Sequence, residues 1–272
     1  MAFLPIHDYF LFDQKLVPTK AYQPAMNSGG IYEVVRVMRG VPLFFEDHIK
    51  RFFNSSRLAK LPVLLSENEI RDALLRVIKE NNVPDGNLLI ALHTHFIVHF
   101  IPHKYPDKLL YDSGIKTGVI LAERPSPNAK ILVPDIRAKA NEMILNQNVY
   151  EVLLVDHEQR IMEGSRSNVF FVKNNQLITP PTEEVLPGIT RAKTILLAQK
   201  QNMMVLEKDV YLNHLKHFDA VFITGTSPKI LPVTQIESRY FDPLNKLVKH
   251  LMESYDQLVE KYVSAQQSLM GR

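Results

Sequence analysis

The sequence contains no cysteine, so it can form no disulfide framework and can supply neither a thiolate nucleophile nor a cysteine-ligated zinc site. No apolar run approaches the roughly 20 residues that span a bilayer. The first residues also lack the basic segment, apolar run and small-residue cleavage site of a secretory signal. We therefore expect a cytoplasmic protein with no membrane partner.

An excess of charge of one sign is absent as well. The chain has 32 Lys and Arg against 29 Asp and Glu, a formal net charge of +3, and the two signs are interspersed. Because no basic face would neutralise many phosphates, we do not expect nucleic acid as a partner. The residues are 46% hydrophobic and 22% charged, a composition typical of a globular protein. A length of 272 residues corresponds to two modest domains or one large one.

Predicted elements of the first half are short strands followed by helices. Turns at Asp13-Gln14 and Arg39-Gly40 separate two pairs of strands. Two helices follow, and the second begins with a capping box of Ser66 and Glu69 and stops near Asn82. The stretch 87–101 then predicts one or two strands. A polar, proline-interrupted stretch at 103–114 predicts a linker, so we place the domains at 1–108 and 109–272.

The second half alternates strands and helices, which makes the predicted fold class α+β with two sheet-and-helix halves. A helix is expected from Pro134 to about Asn148, with a core face that includes Ile136, Ala140, Met143 and Ile144. Four strands, a helix starting at the GITR segment, a buried strand over DAVFITG and a long final helix follow. Asp242-Pro243 is expected to cap that last helix, whose apolar stripe is Leu244, Leu247, Val248, Leu251 and Tyr255.

Two segments have groups that could bind an anion. In LPGITRA, a glycine precedes Ile189 and Thr190 at a helix start, where backbone N–H groups are unsatisfied and the helix dipole favours negative charge. In FITGTSP, Gly225 lies among hydroxyl residues directly after a buried strand. Each segment alone is more often only a cap or a turn. Together they indicate a phosphate site that needs a cation, and Arg51 is a candidate.

Five segments in order resemble one enzyme family. They are IYEVVRVMRGVPLFFEDHIKRF, a lysine, VYEVLLVDHEQRIMEGSRSNVFFV, VLPGITR and FITGTSPKILPV, over roughly residues 30 to 235. Together they resemble the class IV aminotransferases, the fold-type IV pyridoxal-phosphate enzymes. That family includes branched-chain aminotransferase, D-amino-acid aminotransferase and 4-amino-4-deoxychorismate lyase. The resemblance implies a two-domain fold like that of D-amino-acid aminotransferase, with pyridoxal 5'-phosphate at the domain interface, and a homodimer.

The resemblance also implies roles for particular residues. Arg51 corresponds to the arginine that binds the cofactor phosphate, for which a planar fork of donors is well suited. Glu163, in MEGSRSN, corresponds to the carboxylate that pairs with the pyridine nitrogen and favours its protonated form. Further phosphate donors are expected from Ile189, Thr190, Gly225 and Thr226.

Two lysines compete for the Schiff base with the cofactor. Lys139 has Asn141 nearby, yet it lies in the middle of a predicted helix. Lys130 lies in the loop before that helix, 20 residues before Tyr150-Glu151, which is the spacing in D-amino-acid aminotransferases. Lys130 is therefore the predicted catalytic lysine, which would also move the substrate proton. Its neighbours at 131–133 are apolar, where the family has small and polar residues.

Substrate residues are less clearly indicated. Tyr32 matches a tyrosine that lines the family's active site, whereas Thr94 falls where D-amino-acid aminotransferases carry an arginine. His93, His95, His99 and His103 would share one face of an extended strand. Of these we expect His93 and His95 to contact a substrate carboxylate.

A His-x-His pair in a strand is also a known zinc geometry, and a metal-dependent hydrolase is the rival hypothesis. No matching carboxylate or fourth group is identifiable, and we predict no metal. The prediction is a pyridoxal-phosphate-dependent aminotransferase whose partners are an amino acid, branched-chain donors among them, and a 2-oxo acid. A lyase of the same family, with the same cofactor machinery, is the alternative.

Overall fold

The structure is a computed structural model, and it describes residues 3–23 and 30–270. The chain divides into two compact units. The first unit consists of Met1–Lys104, Ala129–Val133 and Leu258–Arg272, and the second unit of Tyr105–Asn128 and Pro134–Gln257. The predicted boundary after residue 108 lies close to the first change of unit, and the units then alternate further along the chain.

The first unit contains a six-stranded antiparallel sheet in the order β2-β1-β6-β5-β3-β4. Its strands are β1 (Tyr9–Phe12), β2 (Lys15–Pro18), β3 (Ile31–Met38), β4 (Val41–Pro42), β5 (Gly86–Leu92) and β6 (Phe96–Ile101). Both predicted tight turns are confirmed. Asp13 and Gln14 have φ of 43° and 67°, and Arg39 and Gly40 have φ of 51° and 79°, the left-handed pair that matches the twist of a hairpin.

Two helices cover one face of this sheet, α1 (Phe45–Ala59) and α2 (Glu67–Asn81). The capping box of α2 is confirmed, because the Ser66 hydroxyl accepts from the Glu69 N–H and the Glu69 carboxylate accepts from the Ser66 N–H. Asn82 ends the helix in the left-handed conformation. The core between helices and sheet includes Val35, Ile49, Phe52, Ile70, Leu74, Leu88, Val98 and Phe100.

The histidine-rich stretch forms a hairpin and not one extended strand, so the predicted single face of four histidines is wrong. Leu92 pairs with Phe96, and the chain reverses over residues 93–95. His93 and His95 therefore lie in the connecting loop and His99 lies in β6. Side-chain alternation holds only within one strand, and the reversal breaks it.

The second unit contains a nine-stranded mixed sheet. Eight strands follow the order β12-β11-β10-β13-β14-β7-β8-β9, and β15 pairs with β14. The strands are β7 (Ile115–Leu121), β8 (Glu151–Val155), β9 (Ile161–Gly164), β10 (Asn168–Lys173), β11 (Gln176–Thr179), β12 (Val205–Glu207), β13 (Ala220–Gly225), β14 (Lys229–Ile236) and β15 (Arg239–Tyr240). Phe170 and Phe222 stack across β10 and β13 with ring centroids 4.9 Å apart.

The remaining helices are α3 (Lys108–Ser113), α4 (Pro134–Asn146), α5 (Ile189–Lys200) and α6 (Lys246–Met270). Short 3-10 turns cover Thr19–Ala21, Thr182–Glu184 and Leu212–His217. The predicted linker at 103–114 is therefore partly helical, since the Asp107 side chain accepts from the Leu110 N–H and starts α3. Among the described residues, no helix combines the length and apolar character needed to cross a membrane.

The predicted core face of α4 and the predicted start of α6 need correction. In α4 only Ala140 is buried, and Ile136, Met143 and Ile144 are half-exposed. Asn245, and not Asp242, starts α6, because its side chain accepts from the N–H groups of the helix's first turn.

Leu244 precedes α6 and is 50% exposed, so it is no part of the apolar stripe. The buried stripe of α6 consists of Val248, Leu251, Tyr255, Val259 and Val263. It therefore extends two turns beyond the predicted one.

Candidate active site

Lys130 lies in a loop of the first unit that is bound to β3 and α1. Its backbone N–H donates to the Ser55 hydroxyl at 3.0 Å, and its carbonyl accepts from the Tyr32 N–H at 3.1 Å. Ile131 forms an isolated β-bridge with Ile31. The peptide on both sides of this lysine is therefore fixed by hydrogen bonds to two different elements.

The amine of Lys130 lies against an aromatic ring. Its Nζ is 4.9 Å from the ring centroid of Tyr32, within the range of a cation–π contact. Two residues that were predicted separately are thus brought together by the structure. The competing Lys139 is exposed on α4.

The apolar neighbours of Lys130 have a structural explanation. Ile131 packs against the helix-covered core of the first unit. Leu132 packs with Tyr32, Leu89 and Ala91 on the other face of the same sheet. They anchor the loop in place of the small and polar residues of the family.

Arg51 forms a buried ion pair with Glu33. Its Nε lies 2.7 Å from Oε1 and its Nη2 lies 2.8 Å from Oε2 of Glu33, and the Nδ1 of His48 lies 2.8 Å from the same Oε2. The carboxylate is fully buried. Burial alone would raise the pKa of Glu33, but the charge and hydrogen bonds of Arg51, and then His48, bring it well below its ordinary value.

His48 belongs to the same cluster. Burial lowers the pKa of His48, and its hydrogen bond to Glu33 opposes this only in part. Glu33 and His48 were not predicted from the sequence. The spacing of His48 and Arg51 on one helix face could have suggested a shared partner, but nothing local identifies that partner as Glu33.

Glu163 lies in β9 of the second unit and is surrounded by donors. Its Oε1 lies 2.7 Å from the Nε of Arg124. This distance is that of an ion pair, but the Nε–H is not aligned for a hydrogen bond. Its Oε2 accepts from the Leu186 N–H at 3.2 Å and the Asn168 amide at 3.3 Å. A nearby cation and two donors favour the ionised carboxylate.

Arg124, which was not predicted from the sequence, contacts both Glu163 and the residues that follow β9. Besides its contact with Glu163, its Nη2 donates to the Ser165 carbonyl at 2.8 Å. Arg124 and Glu163 also line a cavity of about 200 Å³ within the second unit. Further lining side chains include Glu123, Asp156, Arg160, Glu183 and Glu184.

The start of α5 has the geometry of an anion site. Gly188 is its N-cap in extended conformation, and no side chain caps the first turn, so the N–H groups at Ile189 and Thr190 can meet a ligand. A side chain at position 188 would collide with the Asn168 amide. Glycine is therefore required where the helix approaches β10.

A buried hydroxyl lies at the same end of the sheet. Asn168, which contacts Gly188, pairs in register with Thr224 on β13. The Thr224 hydroxyl is buried and has no hydrogen-bond partner among the described groups. Gly225 and Thr226 follow directly. An uncapped helix start and an unsatisfied buried hydroxyl, both next to Asn168, fit an anion such as the phosphate of pyridoxal phosphate.

The histidines do not form a common site. The Nδ1 of His95 lies 2.6 Å from the Asp13 carboxylate at the exposed hairpin end, while His99 is fully buried and burial lowers its pKa to about 4. The Nδ1 of His93 is buried without a hydrogen bond among the described groups. Within residues 3–23 and 30–270, no cluster of three or more His, Asp or Glu side chains could hold a metal.

Comparison with known proteins assigns the family. The family model described as amino-transferase class IV matches residues 30–236. The chain belongs to this family. A candidate branched-chain-amino-acid aminotransferase of Methanocaldococcus jannaschii is 27% identical over 86% of this chain and 88% of its own. The D-alanine aminotransferase of Listeria monocytogenes serotype 1/2a is 29% identical over 76% of this chain and 78% of its own.

A solved aminotransferase structure has the same fold. The branched-chain amino acid aminotransferase of Thermobaculum terrenum, solved in its PLP-form, superposes with a TM-score of 0.79, at 20% identity, over 93% of this chain and 94% of its own. The predicted α+β fold of the fold-type IV enzymes is thereby confirmed. The predicted enzyme class is confirmed as well, because class IV aminotransferases are pyridoxal-phosphate enzymes.

Proposed function

We propose that this class IV aminotransferase transfers an amino group between an amino acid and a 2-oxo acid, with pyridoxal 5'-phosphate attached to Lys130. The observation that carries the proposal is the position of the Lys130 amine. Its peptide is bound on both sides, and its Nζ rests on the Tyr32 ring. An amine at the surface would need no such fixation.

The family resemblance suggests which residues would bind the cofactor. Ile189 and Thr190 would donate backbone N–H groups at the start of α5, and the residues that follow β13, Gly225 and Thr226, would add donors to the phosphate. Arg51, whose guanidinium is paired with Glu33, would supply the positive charge. The placement of the cofactor at the domain interface stays a prediction.

Glu163 would hold a proton at the pyridine nitrogen. Its oxygens are surrounded by Arg124, Asn168 and the Leu186 N–H, which stabilise the ionised carboxylate, so the shared proton would reside on the ring. When bound, pyridoxal phosphate withdraws electrons from the substrate bond that breaks. Lys130 would then carry the proton between the substrate α-carbon and C4′ of the cofactor, acting as general base and general acid.

The amino donor is the open part of the proposal. The two relatives are named for branched-chain amino acids and for D-alanine, which differ in stereochemistry. Thr94 lies in the hairpin loop where an arginine was expected for D-amino acids. We therefore propose L-leucine, L-isoleucine and L-valine as the first donors to test, with D-alanine as the comparison. Tyr32, His93 and His95 are the proposed substrate contacts.

A lyase of the same family would use the same residues, and one assay separates the two reactions. Without a 2-oxo acid a transaminase converts at most one equivalent of donor per cofactor, because the cofactor keeps the amino group, and continued turnover requires the 2-oxo acid as acceptor. A lyase acting on aminodeoxychorismate releases its products without an acceptor. A homodimer is also proposed from the family resemblance, and light scattering of the purified protein would test it.

The test of the function is a visible absorption spectrum of the protein purified with pyridoxal phosphate, followed by the donor screen. We expect an absorption band of the lysine-bound cofactor that borohydride removes, and amino transfer to 2-oxoglutarate. Lys139→Ala is the matched control and should retain both. Absence of the band in the wild-type protein, with stoichiometric zinc instead, would support the hydrolase hypothesis.

A further inference from the structure

We propose that Ser55 is a positioning residue that fixes Lys130 for proton transfer, an inference that rests on the proposed function. Ser55 lies on α1, one helical turn after Arg51, and is fully buried. Its hydroxyl accepts the backbone N–H of Lys130 at 3.0 Å. The two residues are 75 positions apart in the sequence, so this bond ties the lysine loop to a distant helix.

The bond to Ser55 differs from the others in the loop. The Ile131 N–H donates to the Ala129 carbonyl and the Leu132 N–H donates to the Gly30 carbonyl, both at 2.9 Å. Those are backbone contacts that any sequence could make. Only at Lys130, among residues 130–132, does a side chain accept the amide. The identity of residue 55 therefore matters for the lysine itself.

Ser55 and Tyr32 act on opposite sides of the same residue. Ser55 holds the N–H of Lys130, and the Tyr32 N–H holds its carbonyl at 3.1 Å. The root of the side chain is thus fixed, and the four methylene groups lead the amine to the Tyr32 ring. A lysine must meet both ends of a proton transfer within a narrow distance, and a displacement of about 1 Å can cost on the order of 100-fold in rate.

Loss of the Ser55 hydroxyl should therefore slow the chemical step more than substrate binding. In Ser55→Ala the backbone of Lys130 loses one of its two anchors, and the Tyr32 contacts remain. We expect kcat to fall roughly 10-fold, part of the cost of a full misplacement, and KM to change by less than about twofold. The hydrogen isotope effect with an α-deuterated donor should rise, because proton transfer then limits the rate.

A neighbouring serine provides the matched control. Ser56 is also buried on α1, but its hydroxyl donates to the Leu61 carbonyl. Ser56→Ala therefore removes a buried hydroxyl of the same helix without touching Lys130. Ser55→Thr keeps the hydroxyl and should restore most of kcat. Ser55→Cys replaces the hydroxyl by a thiol, which is a weaker acceptor of similar size. It therefore tests the loss of the hydrogen bond, as Ser55→Ala does, without leaving a cavity.

The experiment measures kcat, KM, the α-deuterium isotope effect and the borohydride-labelled peptide in the holoenzyme of each variant. Amide hydrogen exchange of the Lys130 peptide is measured alongside by mass spectrometry. We expect faster exchange, a larger isotope effect and lower kcat in Ser55→Ala and Ser55→Cys, with Ser56→Ala like the wild type.

Folded Ser55 variants with unchanged kcat and isotope effect, but with Lys130 labelled, would overturn the role of Ser55 alone. Label on another lysine of the wild-type enzyme would overturn the proposed function and this inference together.

Discussion

Replacing Glu33 by glutamine would leave Arg51 as a buried guanidinium without its counter-charge. The Arg51 side chain is 7% exposed and that of Glu33 is fully buried, and two contacts of 2.7 and 2.8 Å join them. Removal of one partner from a buried ion pair costs about 3 to 5 kcal/mol, because the other charge stays desolvated. Glutamine keeps one carbonyl acceptor, so we expect the lower end, about 3 kcal/mol.

The assay is urea unfolding of the apo-protein, followed by circular dichroism. With a slope of about 2 to 3 kcal/mol per M, the midpoint of Glu33→Gln should fall by about 1 M. Glu260→Gln is the control, because its pair with Arg39 at 2.7 Å is half-exposed and should contribute no more than about 1 kcal/mol.

Cofactor binding gives the second readout of the same variant. If Arg51 binds the phosphate, pyridoxal phosphate should recover part of the lost stability, because an anion again neutralises the guanidinium. A Glu33→Gln midpoint no lower than that of Glu260→Gln would refute the reasoning about the buried pair. A lowered midpoint that the cofactor does not raise would instead refute the phosphate role of Arg51.

Three further predictions concern the lysine, the carboxylate and a buried histidine. Lys130→Ala should lose the visible band and all detectable transfer, whereas Lys139→Ala should lose neither, as absorbance and a coupled assay would show. Arg124→Gln should lower kcat about 10-fold, because the ionised form of Glu163 loses a neighbouring cation. The 15N chemical shift of the labelled pyridine nitrogen should move toward that of the neutral ring. An unchanged 15N shift would contradict this role of Arg124. Burial lowers the pKa of His99 from 6.5 to about 4, so below pH 6.5 the unfolded chain binds a proton that the folded one does not. Stability should fall by up to about 3 kcal/mol from pH 6.5 to 4, and His99→Gln should flatten that part of an unfolding-versus-pH curve.

Local signals in the sequence account well for turns and caps. The hairpin turn at Asp13 and Gln14 and the capping box at Ser66 depend on a few adjacent residues, and both form as predicted. The reversal at residues 93–95 was missed because apolar residues continue on both sides of it and no glycine or proline marks the turn. The start of α6 was misplaced because Asp242 and Asn245 are both good N-cap residues.

Residues of the candidate site were predictable only where the family motif carries them. Lys130 follows from its spacing to Tyr150, but its anchors Ser55 and Tyr32 are distant in the chain. The partner of Arg51 is Glu33, on a different element. Arg124 lies 39 residues before Glu163, so the two meet only because the strands between them fold back. Such pairs depend on tertiary structure and leave no periodic signal.

The attachment of the cofactor to Lys130 is tested most directly by reduction and peptide mapping. The protein is saturated with pyridoxal phosphate, reduced with borohydride, digested and analysed by mass spectrometry. We predict one modified peptide, with the reduced cofactor on Lys130 and unmodified Lys139. A reduced cofactor on Lys139, on another lysine or on none would contradict the account.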